Sequence, residues 1–187
     1  GTIDVQGNVS ALSSPSGLFL LTARDGSQSV NLQGRLNTSS GLFVSTGDGD
    51  DSINLYEGSE LLGGASLSRL IDGGAGNDFL TLYPTTGVGM LVNVNTTGIE
   101  NLFVDSNVTL YGTHEFDQIQ LNADMAVTAL ETLGNAAGAI NLQTGSRLSI
   151  DLSSNNPAMA TTLSQQLAGD GVLEFVGIRT ASFSGNN

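Results

Sequence analysis

The sequence predicts an all-β fold, a right-handed parallel β-helix or solenoid, and three observations lead to it. Segments of three to five residues alternate apolar and polar, glycine with Asp or Asn separates them, and a unit of about 20 to 28 residues recurs along the chain. Alternation with a period of two indicates short strands that bury one face. Because such a unit cannot bury its apolar face alone, the units must stack on one another.

The repeat is clearest in the first half of the chain. Gly17–Thr22 reads again as Gly41–Thr46, and Ser29–Leu32 reads again as Ser52–Leu55, so the two units sit 23 to 24 residues apart and contain Phe19 and Phe43. We expect both phenylalanines in the core. In the Ile-Asn-Leu strand at residues 53–55, we expect the apolar pair to point inward and the Asn to point outward.

A third copy extends the repeat. Gly76–Tyr83 overlays Gly49–Tyr56 without a gap, 27 residues later. This match predicts that the two segments pair in register on neighbouring coils. A β-sandwich is the alternative, since short strands at regular spacing also suit it, but repetition of a whole unit favours the β-helix.

One segment departs from the strand pattern. An Asn-Asn-Pro sequence precedes residues 158–167 and Gly169 follows them, which are the start and stop signals of a helix. Met159, Leu163 and Leu167 would share one face of it. The sequence therefore predicts a short helix near residues 157–167.

Composition excludes several classes of function. The chain has 187 residues, a formal net charge of -13, no cysteine and five basic residues, all arginine. Nucleic acids and anionic membranes are bound through clustered Lys and Arg, so neither is an expected partner. Disulfides and cysteine metal sites are impossible. No run of about 18 apolar residues predicts a membrane-spanning helix.

Three local patterns resemble the passenger domains of Gram-negative autotransporters. They are the glycine and aspartate turn leading into a Leu-Thr-Leu strand at Asp72–Leu82, the segment Gly98–Val104, and the C-terminal stretch Leu167–Asn187. The resemblance implies that residues 1–187 are one β-helical segment of a longer passenger. It also implies a location at the cell surface or outside the cell, and a tether to an outer-membrane barrel outside this segment.

The function expected from this resemblance is adhesion. The polar outward rows of the rod would mediate cell-cell aggregation and biofilm formation, or attachment to host matrix proteins or cell-surface glycans, by many weak contacts. The alternative is a calcium-stabilised structural stalk. A β-helical polysaccharide-degrading enzyme is a further alternative, and we expect no catalytic residues.

The acidic turns at residues 47–51 and 72–78 are the candidate metal site, although we expect no cofactor to be required. The second turn matches the start of the calcium-binding nonapeptide G-G-x-G-x-D-x-U-x. Stacked carboxylates repel one another unless a hard cation takes their oxygens. The candidate calcium ligands are Asp48, Asp50, Asp51, Asp72, Asn77 and Asp78.

Catalytic chemistry has little support in the sequence. The acidic residues lie mostly in turns and the arginines are scattered. His114 is the only histidine, and in a Gly-Thr-His-Glu turn we expect a surface residue rather than a general base.

Overall fold

A computed structural model describes residues 1–6, 9–11, 18–33, 35–38, 41–56, 60–63, 69–84, 89–114, 116–127, 133, 138–152, 162–163, 165–177 and 182–183. In this part of the chain the fold is a stack of parallel strands, a β-solenoid with almost no helix. The predicted fold class is confirmed. No helix in the described ranges is long and apolar enough to cross a membrane.

One sheet runs along most of the solenoid and is called the eight-stranded sheet here. Every neighbouring pair in it is parallel. Its strands, in spatial order, are β1 (Thr2–Gln6), β4 (Ser29–Gln33), β7 (Ser52–Tyr56), β10 (Phe79–Tyr83), β13 (Asn101–Val104), β15 (Gln118–Leu121), β17 (Ala139–Leu142) and β20 (Gln166–Gly169).

The remaining strands form shorter parallel sheets. A four-stranded sheet contains β3 (Leu18–Thr22), β6 (Gly41–Ser45), β9 (Arg69–Asp72) and β12 (Asn95–Thr97). A five-stranded sheet contains β11 (Met90–Asn93), β14 (Val108–Tyr111), β16 (Met125–Val127), β18 (Arg147–Asp151) and β21 (Val172–Val176). The smallest sheets contain β2 (Val9–Ala11), β5 (Arg35–Thr38) and β8 (Glu60–Gly63), and β19 (Thr162–Leu163) with β22 (Ser182–Phe183).

The core consists of aliphatic rows that run from coil to coil. Val30, Ile53, Leu80 and Leu102 occupy equivalent positions on successive strands of the eight-stranded sheet and are fully buried. Burying one such side chain stabilises the fold by roughly 1.5–3 kcal/mol. Each coil therefore gains its stability from the coil above and below, as a solenoid requires.

Coil length changes along the chain. The equivalent residues Asp51 and Asp78 are 27 residues apart, whereas Asn107 and Asp124 are only 17 apart. The predicted register of Gly49–Tyr56 with Gly76–Tyr83 is confirmed, because β7 and β10 pair Ser52 to Phe79 through Tyr56 to Tyr83. Loops between strands absorb the difference in length while the strands stay aligned.

The predicted spacing of 23 to 24 residues in the first repeat is confirmed at 23, since Ser29 pairs with Ser52, but the predicted core position of Phe43 is wrong. Leu18 pairs with Gly41, so Leu20 and not Phe19 lies beside Phe43. Leu42 and Val44 are buried and Phe43 is half-buried between them, on the outward face, where Leu20 is 59% exposed. A slip of one residue moves a side chain to the opposite face of a strand. The side chain of Phe19 lies outside the described part.

The helix predicted near residues 157–167 does not form over its second half. Thr162–Leu163 and Gln166–Gly169 are strands, and the latter pairs with Ala139–Leu142 in the eight-stranded sheet. Leu163 is buried and Leu167 is packed against the core from these strands. Stacking on the preceding coil thus overrides local helix propensity. Residues 157–161 lie outside the described part.

Candidate functional site

The two acidic turns lie directly above one another on one edge of the solenoid. Asp48 and Ala75 form a parallel bridge, and the N–H of Gly49 donates to the carbonyl oxygen of Ala75 at 2.8 Å. The expectation that these turns share an edge is confirmed. The glycines allow this close stacking, since a methyl group at Gly74 would collide with the carbonyl oxygen of Gly47.

The side chains of Asp51, Asp78 and Glu100 on this edge each accept a hydrogen bond from a backbone N–H of the preceding coil, and together they are called the acid ladder here. The N–H of Gln28 donates to Asp51 Oδ1 at 2.7 Å, and the N–H of Asp51 donates to Asp78 Oδ1 at 2.7 Å. The N–H of Asp78 donates in turn to Glu100 Oε2 at 2.8 Å. Each carboxylate therefore satisfies a backbone donor of the preceding coil that strand pairing does not reach.

The second oxygens of two of these carboxylates are buried without a hydrogen-bond partner. Asp51 is 1% exposed and Asp78 is fully buried, and Oδ2 of each has no donor within reach. Burial raises the pKa of Asp78 to about 6, and the charges of Asp51, Glu100 and Asp50 add to the increase. The hydrogen bond from the N–H of Asp51 opposes it in part.

The other predicted calcium ligands have different surroundings. Asp48 is exposed and joins the stack through its backbone. Asp50 Oδ1 accepts from the N–H of Asn77 at 2.9 Å, and both residues are exposed. Asp72 Oδ1 accepts from the N–H of Gly74 in its own turn at 3.1 Å. These side chains order the turns, and only the Asp51 and Asp78 pair keeps buried carboxylate oxygen atoms free.

Sequence reasoning missed Glu100. Among the described residues no three Asp, Glu or His side chains are grouped closely enough to hold a metal ion. Glu100 nevertheless continues the acid ladder, because Phe79 pairs with Asn101 and the preceding residues Asp78 and Glu100 fall on the same edge. Aligning Leu80 with Leu102 would have revealed it, but the coil there is five residues shorter than the 27-residue unit.

His114 is a core residue, and its predicted surface position is wrong. It is 2% exposed and stacks on Phe116 with ring centroids 4.9 Å apart. Nε2 lies 3.3 Å from the carbonyl oxygen of Tyr111, so it carries the hydrogen, and Nδ1 accepts from the Thr96 hydroxyl at 2.9 Å. Burial lowers the pKa of His114 to about 4 although the bond to Tyr111 opposes this, and the ring is neutral at pH 7.

The outward side of the eight-stranded sheet, called the outer face here, is a second candidate site. No residue of its seven strands from β4 to β20 is charged, although the chain carries a net charge of -13. The one charged residue in the strands of this sheet is Asp4 of β1, which pairs with Asn31 at the end of the sheet. The acidic residues of the candidate metal site lie in the turns beside the sheet. From β4 to β20 the outer face is therefore neutral on an otherwise acidic protein, although Asn54 and Thr81 in its central row are only 8% exposed.

Rows of amides and aromatic rings cover the outer face. Asn54 Nδ2 donates to Asn31 Oδ1 at 2.8 Å, as expected for outward asparagines on neighbouring coils. Tyr56 stacks on Tyr83 with ring centroids 5.2 Å apart, and Phe79 stacks on Phe103 at 5.9 Å. Asn101 Nδ2 donates to Asn77 Oδ1 at 2.8 Å where the row reaches the acidic turn. Neighbouring coils thus hold these side chains in fixed positions.

Comparison of the chain with protein-family models, with curated proteins and with solved structures gives no match.

Proposed function

We propose that the chain is a non-catalytic adhesive rod, the β-solenoid part of a surface-displayed passenger domain like those of Gram-negative autotransporters. The outer face makes its contacts, with a second copy of the rod or with matrix proteins and glycans on a host surface. The observation that carries the proposal is the absence of charged residues from the seven strands β4 to β20 of the eight-stranded sheet.

Electrostatics supports this choice of surface. Two copies with a formal charge of -13 repel each other at long range, so contact requires a face where no carboxylate must be desolvated. The outer face meets that requirement over the strands β4 to β20. Its amides, hydroxyls and aromatic rings are groups that form hydrogen bonds and stacking contacts with protein or sugar at a low cost in side-chain entropy.

The stacked coils supply many equivalent contacts. Neighbouring strands of a sheet lie about 4.8 Å apart, so the eight-stranded sheet presents a row of contacts roughly 34 Å long. Weak contacts along a rigid row act together, because the first one holds the next at high effective concentration. Adhesion by this rod needs no single deep site.

A bead assay tests the proposal. Beads that display the chain should clump or bind matrix-coated and glycan-coated surfaces, and Asn141→Asp on the outer face should weaken that contact several-fold. Asn93→Asp, an exposed position on the outward side of the five-stranded sheet, is the matched control and should have no effect. Equal losses of binding in both variants would show that the outer face does not make the contacts. Absence of binding on every surface tried would rule out the proposed adhesive function.

The same assay separates the two kinds of partner. Self-association between acidic rods should strengthen as salt is raised from low concentration, because screening reduces their repulsion. Attachment to a neutral glycan should be insensitive to salt. Clumping that persists while glycan binding is absent identifies a second copy of the chain as the partner.

A further inference from the structure

We propose that the acid ladder binds one hard divalent cation, calcium in an extracellular setting, through Oδ2 of Asp51, Oδ2 of Asp78 and the carbonyl oxygen of Gly98. This inference does not depend on adhesion. Of the six calcium ligands predicted from the sequence it keeps Asp51 and Asp78, and it adds the carbonyl oxygen of Gly98 from the next coil.

The free carboxylate oxygens are the first reason. Asp51 Oδ2 and Asp78 Oδ2 are buried and have no hydrogen-bond partner, while Oδ1 of each caps the coil before it. A buried carboxylate with an unsatisfied oxygen destabilises the fold unless a proton or a cation neutralises it. The hydrogen bond from the N–H of Asp51 to Asp78 Oδ1 holds these two carboxylates on neighbouring coils, so a cation between the coils would neutralise both charges, whereas a shared proton would neutralise one.

A comparison of neighbouring coils gives the second reason. In the Asp51 coil, Thr46 Oγ1 donates to the carbonyl oxygen of Gly73 at 2.9 Å. One coil further, the residue equivalent to Thr46 is Gly73 itself, and no hydroxyl stands there to donate to Gly98. A methyl group at Gly73 would collide with the carbonyl oxygen of Gly98 and lie 2.7 Å from Asp78 Oδ2. Two oxygen acceptors therefore face the same side of Gly73.

The surrounding charge is the third reason. Asp50, Asp51 and Glu100 all act on Asp78 with the same sign, and no arginine is paired with any of them among the described ion pairs. Carboxylate and carbonyl oxygens are the ligands that calcium prefers. Since only two carboxylates contribute, we expect weak binding, with a dissociation constant of about 10⁻⁴–10⁻³ M, as in extracellular calcium modules.

Calorimetry of the purified chain at neutral pH tests the site. Titration with calcium should give a saturable heat with one ion per chain, and the melting temperature should rise with calcium above its value in chelator. Magnesium at the same concentration should raise the melting temperature less, because it demands a stricter octahedral geometry and loses water reluctantly. Equal effects of the two ions, or no saturable heat, would overturn the proposal.

Asp78→Asn locates the ion. The oxygen of the new side-chain amide can still accept from the N–H of Asp51 while the negative charge is removed, so the variant should fold and lose the calcium response. Asp48→Asn removes an exposed carboxylate from the same edge and should keep the response in full. A calcium response that survives in Asp78→Asn would assign the ion elsewhere and the free oxygens to a shared proton. Should Asp78→Asn fail to fold, the wild-type titration decides.

Discussion

The carboxylate of Asp78 caps the backbone of Asp51, accepting its N–H at 2.7 Å across 27 residues of chain. Asp78→Ala leaves that buried donor without a partner whereas Asp78→Asn keeps an acceptor there, so we expect the free energy of unfolding to be about 1–3 kcal/mol lower in the alanine variant than in the asparagine variant. Urea unfolding in the presence of chelator measures this difference. Asp48→Ala, an exposed neighbour, should change the free energy by less than about 0.5 kcal/mol. Equal losses in the alanine and asparagine variants of Asp78 would show that the cap is not stabilising.

Close stacking of the turns predicts that two glycines with similar backbone angles differ in their tolerance of a side chain. Gly26 and Gly74 have φ of 97° and 93°, but a methyl group at Gly26 meets nothing within 4 Å while one at Gly74 collides with the carbonyl oxygen of Gly47. Gly26→Ala should cost roughly 1–2 kcal/mol through backbone strain alone. Gly74→Ala should cost about 1–3 kcal/mol more through overpacking. Thermal melting of both variants checks the difference, which equal melting temperatures would refute.

The buried His114 predicts a loss of stability in mild acid. Its pKa is about 4 in the folded chain and 6.5 ordinarily, so between these values the unfolded chain binds a proton that the folded chain does not. Stability therefore falls as pH decreases from about 6.5 to about 4, by on the order of 3 kcal/mol in total. His114→Gln removes the titration. The difference between the two pH profiles isolates His114 from the carboxylates, and parallel profiles would contradict this prediction.

The stacked rings of Tyr56 and Tyr83 predict a measurable coupling between neighbouring coils. Their planes are 18° apart at a centroid distance of 5.2 Å. A double-mutant cycle with Tyr56→Leu and Tyr83→Leu, followed by urea unfolding, should give a coupling energy of about 0.5–1.5 kcal/mol. Additivity of the two single losses would mean that the rings contribute only by burial.

The register of β7 with β10 could be predicted from sequence because both strands carry the same alternation. Ile53 aligns with Leu80, and a slip of one residue would expose an aliphatic row. Phe43 shows the limit of this reasoning. A glycine and a phenylalanine match in both copies of its repeat, yet the backbone pairs one residue away and places Phe43 outward. Identical residues in two copies of a repeat do not show which face of the strand a side chain occupies, because the backbone pairing decides it.

Part of the candidate site was equally visible in the sequence. The acidic turns and their common edge follow from the 27-residue unit, but which carboxylates are buried does not. Asp50 and Asp51 are adjacent, and only the second is buried away from solvent. The position of Glu100 could not be predicted from the 27-residue unit, because Glu100 follows Asp78 by only 22 residues.

The sequence by itself determined that the chain forms short strands stacked as a parallel solenoid, because alternation and repetition are local properties that every coil carries. Only the tertiary structure decided which residues meet across the coils. It formed strands at Thr162–Leu163 and Gln166–Gly169 where the sequence predicted a helix, buried His114, and joined Asp51, Asp78 and Glu100 in one ladder. The physical reason is that loops of unequal length separate the strands, so the contacts between coils depend on backbone pairing and not on distance along the chain.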